Sequence, residues 1–234
     1  MRVLQEKIDM KKGIFITATG TDVGKTYISG LLVKQIRENG INCGYYKPVL
    51  SGALVENDKV IAGDAEHVTK TAGLGGNSLD RVSYLFKPAV SPHLAAEIEG
   101  RPIAIGKIAE DFALAANKNE FTVVEGAGGI ICPLNLEENL FIYDIPKALS
   151  LNILVVADGG LGTINNTFLT VDFIKRLGLN IKGIILNNFE PDNFMHKDNR
   201  KVIENLCGVK VIGTVEKGAE QIEFIKNGLE AIYE

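Results

Sequence analysis

The segment TATGTDVGKT, residues 17–26, contains the pair of side chains in this sequence best suited to phosphate chemistry. Lys25 could reach the terminal phosphates of a nucleotide, and the hydroxyl of Thr26 could bind magnesium. The common G-x-x-x-x-G-K-[ST] pattern requires glycine five residues before Gly24, where Thr19 stands instead. A buried strand before the segment and an amphipathic helix after it would still present free backbone N–H groups to a phosphate. This context favours a phosphate site over a chance Gly-Lys-Thr at a helix start.

A second candidate group lies in GYYKPVLSG, at the end of another apolar run. Lys47 directly precedes Pro48, which biases the lysine toward an extended conformation at a strand end. Its ammonium group would then face a ligand, although a solvated surface position is the more common place for a lone lysine. The residues alone leave both interpretations open. Ser51 and Gly52 are typical of a tight turn, in which a serine needs no further function.

Two acidic residues are candidate magnesium ligands. Glu125 follows the buried run FTVV and precedes a glycine-rich segment, which is the Walker-B position of a nucleotide-binding sheet. A carboxylate there could hold the ion directly or through water, whereas a salt bridge is the simpler alternative. Asp64 in GDAEHV is ambiguous, because aspartate is an ordinary helix N-cap and the pattern by itself favours capping.

Two further segments follow buried runs. DGGLGTINNTFLT is rich in glycine and begins a helix near Thr163, so it predicts a second anion site for a substrate group, or else a flexible loop with a threonine cap. Asn187 and Asn188 end the next run. Their amides could recognise a base edge, or they could be turn residues.

The elements that would position these residues alternate along the chain. Short apolar runs predict buried strands, and the helical periodicity between them predicts helices that begin near Lys25 and Thr163. Strands alternating with helices indicate a doubly wound sheet whose ligands bind at the carboxyl ends of the strands. The predicted strands are residues 13–19, 121–126, 152–158, 182–188 and 209–215, with NCGYYKPV as a sixth.

Composition limits the function further. The formal charge of −4 and pI near 5.5 argue against nucleic acid as a partner. The longest apolar runs are far shorter than the ~20 residues that cross a bilayer, so we expect a soluble protein with no membrane partner. Three widely spaced cysteines fit a reducing cytoplasm. We expect one domain over residues 12–234, with residues 1–11 as an extension, disordered or upstream of a start at Met10.

The motifs together resemble a known family. GTDVGKT, GYYKPVLSG, GDAEHV, SPHLAAEIEGRPI, VVEGAGGI, LGTINNTFLT and GIILNN occur in one order, and from about Lys12 onward the chain resembles dethiobiotin synthetases. The resemblance implies a P-loop nucleoside triphosphate hydrolase-like α/β fold, with a mostly parallel, doubly wound sheet flanked by helices. The phosphate loop of that family resembles G-x-x-x-x-x-G-K-T, one residue longer than the common form. The first glycine of this longer pattern, the distal glycine, is also absent here, because Ala18 stands six residues before Gly24.

The resemblance implies an ATP- and Mg²⁺-dependent cyclo-ligase that converts 7,8-diaminononanoate and CO₂ into dethiobiotin, with ADP and phosphate as the other products. It also implies a cytoplasmic homodimer. The implied site residues are catalytic Lys25, Lys47 and Thr21, substrate-binding Ser51, Gly162, Thr163, Ile164 and Asn165, nucleotide-binding Asp22, Val23, Gly24, Lys25, Thr26, Tyr27 and Asn187, and magnesium-binding Thr26, Asp64 and Glu125.

Two rival interpretations use the same general fold. Partition-type nucleotide-switch ATPases act through dimerisation and protein partners, and they usually carry an extra lysine four residues before the loop glycine, where Gly20 stands here. An amidotransferase-type ligase needs ammonia, commonly from a glutaminase domain with a cysteine nucleophile. Neither the length of the chain nor the context of its cysteines provides one.

Overall fold

A computed structural model of the chain describes residues 13–56 and 59–233. The predicted extension at residues 1–11 lies outside this described part. The strands, in chain order, are β1 (Gly13–Ala18), β2 (Cys43–Ser51), β3 (Leu54–Glu56), β4 (Lys59–Ile61), β5 (Val82–Phe86), β6 (Phe121–Glu125), β7 (Pro133–Asn135), β8 (Leu140–Phe141), β9 (Asn152–Asp158), β10 (Ile181–Asn187), β11 (Val211–Val215) and β12 (Glu223–Phe224).

Helices alternate with most of these strands. They are α1 (Lys25–Glu38), α2 (Gly63–Thr71), α3 (Pro92–Ile98), α4 (Ile105–Lys118), α5 (Asp144–Ala148), α6 (Thr163–Arg176), α7 (Phe194–Cys207) and α8 (Glu230–Tyr233), with a 3₁₀ turn at Ser78–Arg81. None of the described helices has the length and apolar character needed to span a membrane.

The main sheet has eight strands in the order β12-β11-β10-β9-β1-β6-β2-β5. Its pairings are parallel except the one between β11 and β12. The predicted doubly wound, mostly parallel sheet is therefore confirmed. Because parallel neighbours run in the same direction, the ends of β1, β2, β6, β9 and β10 lie along one edge. Residues 19–24 follow β1, Glu125 and Asn187 end β6 and β10, and the glycine-rich segment DGGLGTINNTFLT begins at the end of β9. Lys47 lies within β2, whereas Asp64 lies in α2.

Apolar side chains cover both faces of the sheet. Along β1, Ile14 and Ile16 point into one buried cluster and Phe15 points into the other, as the two-residue period of a strand requires. All three are fully buried, and burial of each contributes about 1.5–3 kcal/mol. This double coverage explains why the central strands are continuous apolar runs. It also leaves the loops at the strand ends as the surface where ligands can enter.

Sequence patterns did not predict four peripheral features. The edge strands β5 and β12 and the hairpins β3–β4 and β7–β8 lack a continuous apolar run. β5 is only partly buried, and β12 has two residues. Such strands are defined by the neighbour with which they pair and not by an apolar pattern of their own.

Candidate active site

The loop between β1 and α1 forms the first part of the site. It spans residues 19–24, and its left-handed positions are Asp22 at φ 60° and Gly24 at φ 100°. Ala18 ends β1, and the N–H of Thr19 donates to the carbonyl of Val156 on the neighbouring β9. Ala18 is thus the last residue of the strand, Thr19 keeps one further hydrogen bond to β9, and neither has positive φ. The missing distal glycine is therefore not needed for the backbone conformation of this loop.

Gly24 is required by its surroundings as well as by its φ angle. A Cβ at this position would lie 2.2 Å from Nδ2 of Asn187, closer than real Cβ contacts allow. That nitrogen donates to the carbonyl of Val23 at 2.9 Å, which ties the end of β10 to the phosphate loop. The side-chain oxygen of Asn187 is buried and has no hydrogen-bond partner among the described residues. An acceptor in this position fits an amino group of a nucleotide base.

Lys47 lies at the centre of the site and is buried, which excludes the solvated-lysine interpretation. Its ammonium group is 2.7 Å from Oε1 of Glu125 and 2.7 Å from Oδ2 of Asp64, and it also donates to the carbonyl of Gly126 at 3.0 Å. The side chains of Lys47 and Glu125 are 3% and 0% exposed, whereas that of Asp64 is 39% exposed. A lysine ammonium has three N–H donors, and all three are used in this arrangement.

The interpretation of Asp64 as a helix N-cap is wrong. Helix α2 begins at Gly63 with Ala62 as its N-cap, so Asp64 lies within the first turn. Its carboxylate reaches across to Lys47 on β2. The side chain lines the cavity, and its magnesium-binding role stays a prediction.

The carboxylate of Glu125 connects the lysine to the phosphate loop. Its Oε1 accepts a hydrogen bond from the hydroxyl of Thr26 at 2.8 Å in addition to the contact with Lys47. Its Oε2 accepts from the hydroxyl of Tyr45 at 2.8 Å. A fully buried carboxylate requires such partners, because an unpaired charge is very unfavourable in the interior.

The charges at the site shift one another's pKa values. Burial, and then the neighbouring Lys47 cation, lower the pKa of Lys25 below its ordinary value of 10.5. Burial also opposes the charge of Lys47, but attraction to Glu125 and then Asp64 outweighs it and raises the pKa of Lys47. Burial opposes ionisation of Asp64 as well, yet Lys47 holds its pKa below 3.8. Lys47 and Asp64 are thus a stable ion pair, and Lys25 is the more easily neutralised lysine.

These groups line one cavity of about 640 Å³ at the carboxyl ends of β1, β2 and β6. Predicted residues on its wall are Thr21, Asp22, Gly24, Lys25, Thr26, Tyr27, Lys47, Ser51, Asp64 and Glu125. The structure adds His67, which sequence analysis missed. It follows Asp64 by three residues on α2, so their helical spacing was the available signal.

The predicted substrate loop lies apart from this cavity in a single chain. Gly162 is the N-cap of α6 with φ 87°, and Thr163 is buried with its hydroxyl 3.3 Å from that of Thr167. Ile164 is partly buried and Asn165 is exposed. None of these four residues lines the cavity that contains Lys25 and Lys47. Their role in substrate binding stays a prediction.

The oxygen atoms at the site fit a magnesium ion shared with a nucleotide. Thr26, Asp64 and Glu125 offer a hydroxyl and two carboxylates, which are the hard oxygen ligands that Mg²⁺ prefers. The described residues contain no cluster of three or more His, Cys, Asp or Glu side chains that could hold a metal alone. An ion here would therefore complete its coordination with phosphate oxygens and water, as in other nucleotide sites.

Known structures share the fold. A ParA family ATPase from Chlorobium tepidum superposes with a TM-score of 0.55 over 95% of this chain and 90% of its own, at 13% sequence identity. Chloroplast FtsY from Physcomitrella patens gives a TM-score of 0.53 over 96% of this chain and 65% of its own, at 16% identity. At such low identity these likenesses concern the fold alone.

Sequence relatives are much closer. A family model described as an AAA domain matches residues 12–221. The ATP-dependent dethiobiotin synthetase BioD of Clostridium botulinum (strain Eklund 17B) is 46% identical over 226 residues, which cover 96% of this chain and 99% of the relative. The protein of the same name from Brachyspira hyodysenteriae is 45% identical over 227 residues, covering 96% and 100%. Since identity at this level extends over nearly the whole of each chain, the protein belongs to the dethiobiotin synthetase family.

Proposed function

We propose that this protein is an ATP- and Mg²⁺-dependent dethiobiotin synthetase, which closes a ureido ring on 7,8-diaminononanoate with CO₂ and releases ADP and phosphate. The observation that carries the proposal is the convergence of Lys25, Lys47 and three oxygen ligands on one cavity at the end of a nucleotide-binding sheet. These are the groups needed to bring two anions together.

The electrostatics of the reaction explain the two lysines. A neutral amine of the substrate attacks CO₂ and loses a proton, which gives a carbamate anion. A carbamate oxygen then attacks the γ-phosphorus of ATP while ADP leaves with the electron pair of the broken P–O bond. The second amine attacks the carbonyl carbon of this mixed anhydride and loses a proton, and the C–O bond to phosphate breaks as the ring closes. Two negative reactants repel each other, so catalysis depends on cations and on positioning.

Lys25 and Lys47 have different parts in this scheme. Lys25 donates to the carbonyl of Gly20 inside the phosphate loop at 3.0 Å, and it exchanges this contact for the terminal phosphates. Lys47 binds the carbamate. Because all three of its N–H donors are in use, it must give up at least one contact with Asp64, Glu125 or Gly126 to do so.

The remaining groups orient the reactants. Thr21 lies near the reacting atoms and Ser51 binds the carbamate, since both line the cavity beside the lysines. Thr26, Asp64 and Glu125 would hold Mg²⁺, which would supply positive charge to the triphosphate. No nucleophilic side chain is needed, because the substrate provides both nucleophiles.

The protein acts as a cytoplasmic homodimer in this proposal. The loop from Gly162 to Asn165 does not line the cavity of its own chain, and the preceding Leu161 is 94% exposed. Placing this loop at a neighbouring subunit would let it bind the substrate carboxylate there. Sedimentation at assay concentrations tests this assembly, and a monomer with full activity would contradict it.

Product formation tests the proposed reaction directly. Purified protein with Mg²⁺ and ATP should release ADP only when both 7,8-diaminononanoate and bicarbonate are present, with the ureido product detected by mass. Lys47→Ala should abolish ring closure, whereas Lys107→Ala, a change at an exposed ion pair, should not. ADP release that ignores the diamine would refute the substrate assignment.

A further inference from the structure

Tyr45 is a buried tyrosine that contacts the site without lining its cavity. It is 3% exposed, and its hydroxyl donates to Oε2 of Glu125 at 2.8 Å. The other carboxylate oxygen, Oε1, is used by Thr26 and Lys47, both of which line the cavity. The two oxygens of Glu125 therefore have separate tasks. Oε1 faces the groups that line the cavity, whereas Oε2 is held by Tyr45 in the protein interior.

The strand geometry makes this arrangement possible. Tyr45 and Lys47 are two residues apart on β2, so their side chains project from the same face of the sheet. In the parallel pairing of β2 with β6, Tyr45 lies opposite Val123, two residues before Glu125. The three polar side chains thus share one face of two neighbouring strands, and Glu125 is reached by the lysine at Oε1 and by the tyrosine at Oε2.

We propose that Tyr45 is a positioning residue, which fixes the plane of the Glu125 carboxylate so that Oε1 is presented to the magnesium–nucleotide complex. This inference rests on the metal-binding role of Glu125 in the proposed function. The last torsion of a glutamate side chain has broad, roughly two-fold wells, so a carboxylate without such an anchor can rotate. Outer partners of metal-binding carboxylates commonly matter in this way.

The phenol is suited to a permanent donor role. Burial, then the carboxylates of Glu125 and Asp64, raise the pKa of Tyr45 well above its ordinary value of 10.0. The hydrogen bond to Oε2 of Glu125 requires the protonated phenol, in agreement with this direction. Removing only its oxygen, by Tyr45→Phe, retains the packed ring and leaves Oε2 of Glu125 without this donor.

The neighbouring tyrosine provides a matched control. Tyr46 is also 3% exposed, and its hydroxyl donates to the carbonyl of Ile108 and contacts Ser83 on the opposite face of the sheet. Tyr46→Phe therefore removes a buried hydroxyl from the same strand without touching Glu125. Both variants are first checked for folding by circular dichroism and urea unfolding.

The deciding measurement is equilibrium binding of ADP by calorimetry, titrated over Mg²⁺ concentration without the diamine. We expect Tyr45→Phe to raise the Mg²⁺ concentration that half-saturates ADP binding by about tenfold or more. Its affinity for ADP in the absence of Mg²⁺ should be unchanged, and Tyr46→Phe should match the wild type throughout. A purely structural role of Tyr45 would lower stability without a selective effect on Mg²⁺.

Three results would overturn the inference: an unchanged Mg²⁺ requirement in Tyr45→Phe, an equal shift of the Mg²⁺ requirement in both variants, or wild-type ADP binding that does not depend on Mg²⁺.

If Tyr45→Phe does not fold, the Mg²⁺ requirement is compared between proteins that carry 4-aminophenylalanine and 4-fluorophenylalanine at position 45. These have similar size, but only the first donates a hydrogen bond, and an equal Mg²⁺ requirement would again overturn it. Because the assay omits the diamine, a failure of ring closure alone would refute the proposed function and leave this result intact.

Discussion

Removal of the Lys47 ammonium should destabilise the protein strongly, apart from any effect on turnover. In Lys47→Met the apolar stem is retained, but Glu125, which is 0% exposed, loses the cation 2.7 Å away. Breaking a buried ion pair at one partner typically costs about 3–5 kcal/mol. We expect a loss of this size in the free energy of unfolding, measured by urea denaturation at pH 7.5 without nucleotide or metal.

An exposed ion pair of the same length is the matched control. Lys107 and Asp111 are also 2.7 Å apart, but their side chains are 49% and 29% exposed. Lys107→Met should lower the free energy of unfolding by no more than about 0.5 kcal/mol, because solvent screens such pairs. The comparison isolates the contribution of burial from that of distance.

The double variant Lys47→Met/Glu125→Gln tests the cause. Neutralising the carboxylate removes the uncompensated charge, while the amide can still accept from Thr26 or Tyr45. We therefore expect the double variant to be more stable than Lys47→Met alone. A loss in Lys47→Met no larger than that in Lys107→Met, or no recovery in the double variant, would refute the reasoning.

The stabilisation by Lys47 should also depend on pH in a defined way. The lowered pKa of Asp64 stabilises the fold above its ordinary value of 3.8, and this contribution is lost as the pH falls through the folded-state pKa. The raised pKa of Lys47 stabilises the fold below 10.5, and this contribution is lost only at still higher pH. The difference between wild type and Lys47→Met should thus be largest between these limits and decrease in acid. Unfolding curves from pH 3 to pH 10 check this.

Three further outcomes follow from the geometry. Gly24→Ala combines φ 100° with a Cβ contact of 2.2 Å, so it should weaken ADP binding and destabilise the fold. Gly40 is the control, because it has φ 84° but open space around it. Gly40→Ala should lower the free energy of unfolding by about 1 kcal/mol and leave ADP binding, measured by calorimetry, unchanged. Asp64→Asn should raise the Mg²⁺ requirement of turnover, since Asp64 is not a cap; a lower melting temperature with an unchanged Mg²⁺ requirement would contradict this. Burial and the nearby Lys47 lower the pKa of Lys25, so ADP affinity should decline with rising pH before the ordinary lysine value of 10.5 is reached. Lys25→Arg should show no such decline. An ADP affinity of the wild type that stays constant up to that pH would contradict this prediction.

Sequence patterns were sufficient for the central part of the fold. The strand predicted at residues 152–158 is β9 with the same bounds, and the helix predicted from about Thr163 is α6. Both were readable because a strand covered on two faces becomes a continuous apolar run, and a helix covered on one face has a period of 3.6 residues. The edge strands β5 and β12 carry neither signal, since pairing and not burial defines them.

At the site, the sequence by itself was sufficient to predict Lys25 and Thr26 as a phosphate-binding pair and to place them at a helix start, because strand, loop and helix are contiguous in the chain. It left Lys47 open between ligand site and surface, and it favoured a cap for Asp64. The structure decided both, since β2 and β6 are adjacent in the sheet although Lys47 and Glu125 are 78 residues apart in the chain. Local patterns encode burial and backbone conformation, whereas the pairing of a lysine with its carboxylates depends on the order of strands, which no local pattern contains.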